Sequence, residues 1–544
     1  MKKNLLLILI LGITTILPQV VFEPSSSSIY DLLNRLSLKG VIEFNDELKP
    51  LSRTELAVKL IEAANQKDKL TVLEWEEVEY YKKEYALELA LKGVVKLNEE
   101  PQFFQFDDLT GFRFFLFGNE DFTLNMDPIL GFEIKNRFDE IQTHRWNGLQ
   151  FYGYVNNNWG FKFYLRDNEE RGDRIDKAKI FSTEPGFNLS KNNPGTIEYV
   201  DVQGLVSYSW KNGNISVGKE YIEWGSGISG RLILSNKAPS FPFVKFEFTP
   251  VNWLKFVYFH GWLHSGLIDS STIRTTLVKD RDSYSQREKF IAAHIVSVYP
   301  LSNLSISIGE SMVYSDRLEF AYFVPVLFFR AVDHYLSNSS NTGDNAQLFF
   351  NVVYKNTELR SKLYTTVFID ELSITNLLKG TNLSSIGITT GVSFIDPILK
   401  NSELSFEYSR LNPFVYLNSN DAQLFTSHGY QLGHWIGSNA DQFYAEFKHS
   451  FLRGLRLKIW GEHIRKGQKE LPEEQYRLPY PKFLYGDKLR MTNIGFVLKY
   501  EFLHNLFGEI DFTYTDISDE NTLRTPDYQN GKNSTFGLSF GYGF

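Results

Sequence analysis

After about the first hundred residues, apolar and polar residues alternate one by one along many short segments. In residues 506–515, Ile510 and Phe512 share one face, while Glu509 and Asp511 lie on the other. A period of two is typical of a β-strand whose two faces meet different surroundings. This part of the chain is therefore predicted to be mainly β. The same alternation recurs in residues 403–408, 442–448 and 455–460, and turn-forming runs lie at 156–158 and 211–214.

The composition suggests where these strands are buried. Aromatic residues make up 15% of the chain, yet only 42% is apolar and the mean hydropathy is −0.26. These values exclude a helical membrane bundle, and the aromatic content excludes a disordered chain. The longest apolar run beyond the amino terminus, Phe320–Phe329, has ten residues and is interrupted by Pro325. It is about half of what a transmembrane helix needs.

Charge and cysteine content exclude further classes of protein. The net charge of −8 argues against a nucleic-acid partner held by a basic surface. The chain contains no cysteine, which excludes disulfides, thiolate metal sites and a thiol nucleophile.

The first residues predict export. Lys2 and Lys3 precede an apolar run from Leu5 to Leu17, which is the arrangement of a secretory signal peptide and is too short to span a bilayer. We place this signal peptide at residues 1–22. An exported chain that has many aromatic residues and no helical span can still enter a membrane as a closed β-barrel.

A small helical module is predicted at residues 28–97. Ser28, Ser52 and Thr71 each stand three residues before a carboxylate, which is the signature of a capping box at a helix start. Apolar residues then recur at three- and four-residue intervals, so three amphipathic helices are expected. Because so few residues form a marginal core, we expect the module to pack on something larger.

Residues 103–544 are predicted to form a transmembrane antiparallel β-barrel. At roughly 24 residues per strand with its turn or loop, this length allows about eighteen strands, and sixteen would also fit. The last strand carries Leu538, Phe540 and Phe544 on one face and resembles the sorting signal of bacterial outer-membrane barrels. It predicts contacts with outer-membrane lipid and with the barrel-assembly machinery. The alternative is a large soluble β-sandwich or propeller.

Several segments resemble one known family in the same order along the chain. Residues Val217–Gly225 and Leu232–Pro239 are similar to the central signature of the Wzi capsule-assembly family, and residues Leu432–Trp435 fit a later piece. Residues Lys49–Leu56 are similar to the family's amino-terminal portion. The resemblance implies a bacterial outer-membrane barrel of about eighteen strands with a periplasmic helical bundle. It also implies a lectin-like role in holding capsular or exported polysaccharide at the cell surface.

The residues themselves are also compatible with two other functions. The predicted lumen-facing side chains carry both signs of charge, which also suits a porin-type channel for small polar solutes or oligosaccharides. Residues 50–55 faintly resemble surface-layer homology segments, so the helical module is a candidate peptidoglycan-binding element.

The candidate polysaccharide contacts lie in two segments. Trp224 stands in a glycine-rich run, where its ring could stack on a sugar or pack against a kinked strand. Residues 426–435 concentrate polar donors and aromatic rings without a strand period, which predicts a long outward loop. The candidates in this loop are His428, Tyr430, Gln431, His434 and Trp435.

The sequence predicts neither a metal site nor a cofactor. His428, His434 and Asp441 match no compact zinc spacing. Asp344 and Asn345 could join a calcium site, although no known calcium-loop spacing is present.

Glu310 shares the parity of apolar neighbours on its predicted strand. A charge that faces lipid is costly, so a bulge at Gly309 is expected to turn Glu310 inward.

Catalysis is not expected. His264 and Ser265 are adjacent, so on a strand their side chains point to opposite faces. That geometry prevents the hydrogen bond that would activate a serine nucleophile. No serine elbow, His-Glu-x-x-His motif or phosphate-binding loop is present.

Overall fold

The architecture is taken from a computed structural model. It describes residues 20–97, 99–156, 158–278, 281–340, 343–371, 385–471, 474–475 and 479–543. Most of the predicted signal peptide and the terminal Phe544 lie outside these residues. Among the helices that are described, none is both long and apolar enough to cross a bilayer.

Among the described residues, four helices form the amino-terminal module, and a fifth lies much later in the chain. Only the start at Thr71 forms the predicted capping box, with Glu74 N–H donating to Thr71 Oγ1 and Thr71 N–H donating to Glu74. Ser28 pairs instead with the hydroxyl of Tyr81 at 2.8 Å. The helices are α1 (Ile29–Leu38), α2 (Arg53–Ala64), α3 (Val72–Glu84), α4 (Ala86–Leu91) and α5 (Phe329–Ser340), with short 3-10 turns at Lys67–Lys69, Ser270–Thr272, Phe320–Phe323 and Asp421–Gln423.

Strands make up most of the remaining chain. They are β1 (Leu48–Lys49), β2 (Gln102–Asp107), β3 (Gly111–Gly118), β4 (Phe122–Arg137), β5 (Glu140–Val155), β6 (Trp159–Arg171), β7 (Leu189–Asn193), β8 (Thr196–Trp210), β9 (Gly213–Glu220), β10 (Glu223–Trp224), β11 (Phe241–Val251), β12 (Leu254–Ile268), β13 (Arg274–Thr275), β14 (Asp282–Ser283), β15 (Gln286–Leu301), β16 (Leu304–Ser315), β17 (Asn345–Asn356), β18 (Ser361–Glu371), β19 (Ser385–Ile395), β20 (Ser402–Leu411), β21 (Thr426–Ser427), β22 (Tyr430–Gln431), β23 (Ala440–Leu452), β24 (Leu455–Lys466), β25 (Leu489–Leu503), β26 (Leu506–Asp519) and β27 (Gly531–Tyr542).

Eighteen antiparallel strands form one closed barrel within the described residues. The ring closes where β27 pairs with β4, from Thr535 opposite Arg137 to Tyr542 opposite Leu130. Strand β3 of the hairpin β2–β3 pairs with the first residues of β4, and β7 pairs with the first residues of β8. The predicted fold class and strand number are thus confirmed. The ring strands are β4, β5, β6, β8, β9, β11, β12, β15 to β20 and β23 to β27.

The two faces of the wall differ as the alternation predicts. Leu538 and Phe540 on β27 are 53% and 58% exposed, so apolar side chains point away from the barrel. On β23, Phe443 is exposed, whereas Gln442 and Glu446 are buried in the lumen. An apolar outer surface around a polar interior is the arrangement of an outer-membrane barrel.

The two ends of the barrel also differ. One end carries short turns, and the other carries the long connections together with the tight turn 138–139 between β4 and β5. In bacterial barrels the short turns face the periplasm and the long loops face the cell exterior. The short turns include 252–253, 302–303, 453–454 and 504–505, and the long connections include 172–188, 221–240, 316–344 and 412–439.

Residues 20–97, here called the plug module, close the short-turn end. Arg35 donates to Asp396 at 2.6 Å, and Tyr80 donates to Glu501 at 2.5 Å. Arg456 on β24 pairs with Glu77 at 2.9 Å. These contacts join the plug module to the turn after β19 and to strands β24 and β25, so it docks on the larger body that its small core requires.

The connection between β9 and β11 folds into the lumen and meets the plug module. Its strand β10 pairs with β1, where Trp224 lies opposite Leu48. Further along, Glu407 on the wall accepts hydrogen bonds from the N–H groups of Ile228 at 2.7 Å and Ser229 at 3.0 Å. The lumen is therefore occupied from both ends.

The predicted bulge at Gly309 is wrong. The pairing of β15 with β16 runs without a register shift from Lys289 opposite Ser315 to Val298 opposite Ile306, and Glu310 lies opposite His294. Glu310 keeps the parity of Ile308 and stays on the outer side of the wall. It is nevertheless only 2% exposed, because the connection after β16 covers it.

Candidate functional site

A cavity of about 640 Å³ lies inside the long-loop half of the barrel. Strands β4, β5, β6, β8 and β9 form its wall, and residues 23–26 of the plug module form its floor. Residues 175–188 and 236–240 surround its upper part. A space of this size accommodates a small ligand or a few units of a polymer.

Ion pairs fix the polar wall of the cavity. Lys162 on β6 pairs with Glu220 on β9 at 2.7 Å. Lys135 pairs with Glu133 at 2.9 Å on β4. Because these charged groups of opposite sign pair with one another, this part of the wall has little net charge.

Lys179 joins the upper connection to the wall. Its Nζ lies 2.5 Å from both Glu170 on β6 and Glu184 in the connection. Burial lowers the pKa of Lys179, but these carboxylates outweigh it and hold the pKa above its ordinary value. The side chain of Glu184 is 48% exposed, so the cavity reaches solvent at this rim.

Lys237 holds the same connection from the opposite side. The side chain is buried, and its Nζ donates to the carbonyls of Ser182 and Glu184, both at 2.8 Å. Burial lowers the pKa of Lys237 to about 8. The two lysines therefore fix residues 179–184 as a defined edge of the cavity.

Aromatic rings line the upper side. Phe187 and Tyr199 stack with centroids 4.2 Å apart and planes 13° from parallel. Tyr430 lies behind Phe187 at 6.4 Å and donates to the carbonyl of Ala178 at 2.7 Å. The rings offer an apolar surface beside the polar wall, which is the combination that a sugar with apolar faces and hydroxyl edges requires.

Three lining side chains each keep a buried polar atom without a partner among the described residues. They are Gln142 Nε2, Arg166 Nε and Glu220 Oε2. Buried polar groups are normally hydrogen-bonded, so each of these atoms needs water or a ligand. Two donors and one acceptor suit hydroxyl groups, which both donate and accept.

The structure separates the six sequence-predicted contacts into two groups. Residues 426–431 fold as a small hairpin, in which Thr426 pairs with Gln431. Its turn residue His428 lines the cavity and stacks on His264 at 3.9 Å. Burial lowers the pKa of His428 to about 4, so this imidazole is neutral near pH 7. Tyr430 and Gln431 lie on the same hairpin, behind the cavity edge.

The other three predicted contacts are buried in the main core. His434 is fully buried, and burial lowers its pKa to about 3. Trp435 Nε1 donates to the carbonyl of Ser229 at 2.9 Å. Trp224 is 1% exposed and packs edge-on against Phe259 at 5.2 Å. The segment 432–435 therefore folds inward, although its lack of a strand period suggested an outward loop.

Sequence reasoning missed most of the cavity lining. Tyr199, Arg166 and Gln142 lie on ordinary alternating strands, so nothing local distinguishes them from other lumen residues. The excess of charged residues at 166–179 was a usable signal, because charge at successive inward positions predicts a polar lumen.

The geometry gives little support to a catalytic serine at Ser265 or to a calcium site at Asp344. Ser265 Oγ donates to the carbonyl of Arg287 at 2.8 Å, while His264 stacks on His428. Asp344 accepts from Tyr322 at 2.8 Å and from Gln423 at 3.0 Å, so both carboxylate oxygens already have partners. Within the described ranges, no group of three His, Cys, Asp or Glu side chains could hold a metal ion.

The fold is similar to that of a solved carbohydrate-binding barrel. Wzi of Escherichia coli, described as an outer-membrane protein involved in group 1 capsule assembly, aligns with a TM-score of 0.56 and 13% identity over 96% of this chain and 99% of its own. OccD1 and Pseudomonas aeruginosa OpdK align at TM-scores of 0.41 and 0.44, with 12% and 10% identity. They cover 77% of this chain and 94% and 98% of their own, and these low scores support no functional comparison.

Sequence comparison gives the more specific result. No curated protein matches the chain significantly. The family profile described as capsule assembly protein Wzi matches residues 180–500, which is more than half of the chain. This range contains the connection that fills the lumen and the hairpin that bears His428. The chain is an outer-membrane β-barrel that belongs to the Wzi capsule assembly family.

Proposed function

We propose that this barrel binds a capsular or exported polysaccharide at the bacterial cell surface, without catalysing a reaction. The cavity inside the long-loop half of the barrel is the proposed binding site. The observation that carries this proposal is the set of unpartnered buried atoms on Gln142, Arg166 and Glu220, which line one polar space beside stacked rings.

The chemistry of the cavity suits a neutral or weakly charged sugar. Three of its lysines, Lys135, Lys162 and Lys179, already pair with carboxylates, so a strongly anionic ligand would have to compete with these internal partners. The free donors and acceptor are spaced on different strands, so they can contact several hydroxyls of one chain. The carbohydrate binding described for the Escherichia coli barrel is consistent with this ligand class.

The sequence-predicted residues take two proposed roles. His428 faces the cavity and is a proposed direct contact. Tyr430 and Gln431 hold the hairpin that carries it. Trp224, His434 and Trp435 are buried, so their proposed role is to fix the inward connections that form the cavity edge.

A porin-type channel is the less favoured function. The plug module closes one end, and the connection bearing Trp224 fills the lumen above it. Glu407 holds this connection to the wall through two N–H groups. A passive channel would need both to move.

Three further partners remain predictions. They are outer-membrane lipid around the apolar wall, the barrel-assembly machinery at the terminal strand and peptidoglycan at residues 28–97. Retention of the purified full chain on peptidoglycan would test the last of them.

The proposed function is tested by binding to a glycan array and to purified capsular polysaccharides. Arg166→Gln should weaken binding about tenfold or more, because it removes a buried donor that the ligand satisfies. The matched control is Arg145→Gln, since the Arg145 side chain is 67% exposed and pairs with Glu169 outside the cavity. The paired variant His434→Ala with Trp435→Ala tests the buried segment 432–435, which is proposed to support the cavity edge.

The outcomes distinguish the function from the site. If the wild-type protein binds no polysaccharide, the function itself is wrong. If wild type binds and Arg166→Gln binds equally well, the function stands and the cavity is not the site.

A further inference from the structure

One long connection returns along the outside of the barrel wall. Residues 316–340, here called the strap, follow β16 and contact side chains on the outer face. Tyr258 Oη donates to the carbonyl of Tyr322 at 2.9 Å. The rings of Phe323 and His260 stack at 4.1 Å. Tyr258 and His260 alternate on β12 with Phe259, which packs inside the lumen, so the strap lies on the lipid-facing side.

The underside of the strap satisfies a carboxylate that would otherwise face lipid. Glu310 accepts hydrogen bonds from the N–H groups of Phe329 at 2.5 Å and Arg330 at 3.4 Å, at the start of α5. His294 Nε2 lies 3.2 Å from the same carboxylate. A helix amino terminus favours an anion, and two N–H groups provide hydrogen bonds. The wall and the strap are therefore complementary in charge as well as in shape.

The strap reaches far down the wall. Glu310 lies near the middle of the twelve-residue strand β16. The strap starts at the long-loop end and descends to Glu310, and α5 then returns towards β17. Its depth therefore matches the outer half of the membrane-spanning wall.

The opposite side of the strap is apolar and exposed. Phe320 is 74% exposed, Val326 81% and Phe328 52%. They continue the surface formed by exposed wall residues such as Ile308 and Phe350. Large apolar side chains in a continuous patch of this kind mark contact with a membrane or a partner.

We propose that the strap is embedded in the outer leaflet of the membrane, where its exposed side chains contact lipid acyl chains. Lipid is favoured as the occupant because the strap lies on the lipid-facing side of β12 and β16, beside the exposed wall residues Ile308 and Phe350. Part of the backbone meets the requirement that lipid imposes. The 3-10 turn Phe320–Phe323 and helix α5 bond their own N–H groups, the N–H groups of Val324 and Leu327 donate to the carbonyls of Ala321 and Val324, and Glu310 satisfies the first two N–H groups of α5. The strap thus widens the anchoring surface of the barrel at one position.

The absence of cysteine from the chain allows a direct test. A nitroxide label is attached at Val326→Cys in the otherwise unchanged protein, in vesicles of phosphatidylethanolamine and phosphatidylglycerol. Its accessibility to oxygen, which partitions into lipid, is compared with that to a water-soluble nickel chelate. Ile308→Cys is the lipid-facing control, and Leu523→Cys, at a loop residue that is 97% exposed, is the aqueous control.

The label at position 326 should show an oxygen-to-nickel ratio similar to that at position 308 and several-fold above that at position 523. A ratio like that at position 523 overturns the proposal, because the strap would then lie in water. Shielding from both probes also overturns it, because protein would then cover the patch.

Glu310→Gln supplies a second, independent measurement. The neutral side chain is a weaker acceptor for the start of α5, so the label at position 326 should become more mobile and more accessible to nickel. Heat-modifiable migration on gels verifies that the barrel itself has folded. An unchanged label in a folded Glu310→Gln barrel would show that this contact does not seat the strap.

Discussion

Arg53 of the plug module donates a hydrogen bond to Tyr152 on the barrel wall, with 2.9 Å between Nη2 and Oη. Its Nε lies 2.7 Å from Glu88, its Nη1 lies 2.5 Å from Glu23, and the side chain is only 6% exposed. A single buried guanidinium therefore links the amino-terminal segment, a helix of the module and the wall. This contact makes the module an integral part of the barrel.

Replacing this residue should loosen the plug module. Arg53→Ala leaves the carboxylates of Glu23, Glu84 and Glu88 close together without their shared cation. Breaking a buried ion pair from one side costs about 3–5 kcal/mol. We expect the denaturant midpoint to fall accordingly in detergent-solubilised protein.

Lys59→Ala provides the matched control for that variant. Lys59 pairs with Glu62 one helical turn away on a solvated face. Surface pairs of this kind contribute less than about 1 kcal/mol, so its midpoint should stay at the wild-type value. Equal destabilisation by both changes would contradict a special role for Arg53.

The wild-type barrel should show no large steady conductance in planar bilayers, because its lumen is occupied from both ends. Glu407→Ala should raise the frequency of open events, since it removes the acceptor that holds Ile228, Ser229 and Tyr364. Large steady single-channel currents from wild-type protein would instead favour the porin.

The mature chain should begin at or before Val20. Val20, Val21 and Phe22 are all at most 3% exposed, and the carbonyl of Val21 accepts from Arg53 N–H at 2.8 Å. A cut after residue 22, as the sequence alone suggests, would remove these buried side chains. Intact-mass measurement of the exported protein decides between the two boundaries.

The strap should be held more firmly below about pH 6 than above it. Burial is the main reason that the pKa of Asp344 rises from its ordinary 3.8 to about 6, with Asp333 and Glu319 adding to the rise and Tyr322 and Arg317 opposing it. The folded state therefore binds this proton more tightly than the unfolded state. The resulting stabilisation is full below pH 3.8 and lost above about pH 6.

Asp344→Asn isolates that carboxyl. The amide stays neutral at every pH, so the thermal midpoint of this variant should change less between pH 5 and 7.5 than that of wild type. Over this pH range the difference corresponds to on the order of 1 kcal/mol after discounting for partial exposure. Parallel pH profiles for the two proteins would contradict the assignment to Asp344.

The regular parts of the fold were predictable from the sequence because their physical cause is local. Alternation at Ile510 and Phe512 reports a wall between lipid and water, and this pattern extends along each strand. Closure of the ring was also predictable, since membrane strands cannot leave an open edge.

The site was less predictable because its residues meet only through the ring. Arg166, Gln142 and Glu220 lie on three strands, and nothing in the local pattern of each marks it as part of one cavity. Glu310 shows the same limit in another form. Its parity alone indicates the outer face, but the cost of a charge facing lipid led to the wrong prediction of an inward bulge. The cover supplied by Phe329, which removes that cost, lies on a later connection that no strand pattern reveals.

The residues that are synthesised first in this molecule are enclosed by a barrel that closes only with its last strand. The first described residues end up enclosed, whereas the wall around them is completed only when the final strand reaches residues 130–137. Until that pairing forms, helices α1 to α4 have no closed barrel around them. During export this amino-terminal portion must therefore stay able to dock. The barrel either assembles around it or takes it in from the periplasm before β27 pairs with β4.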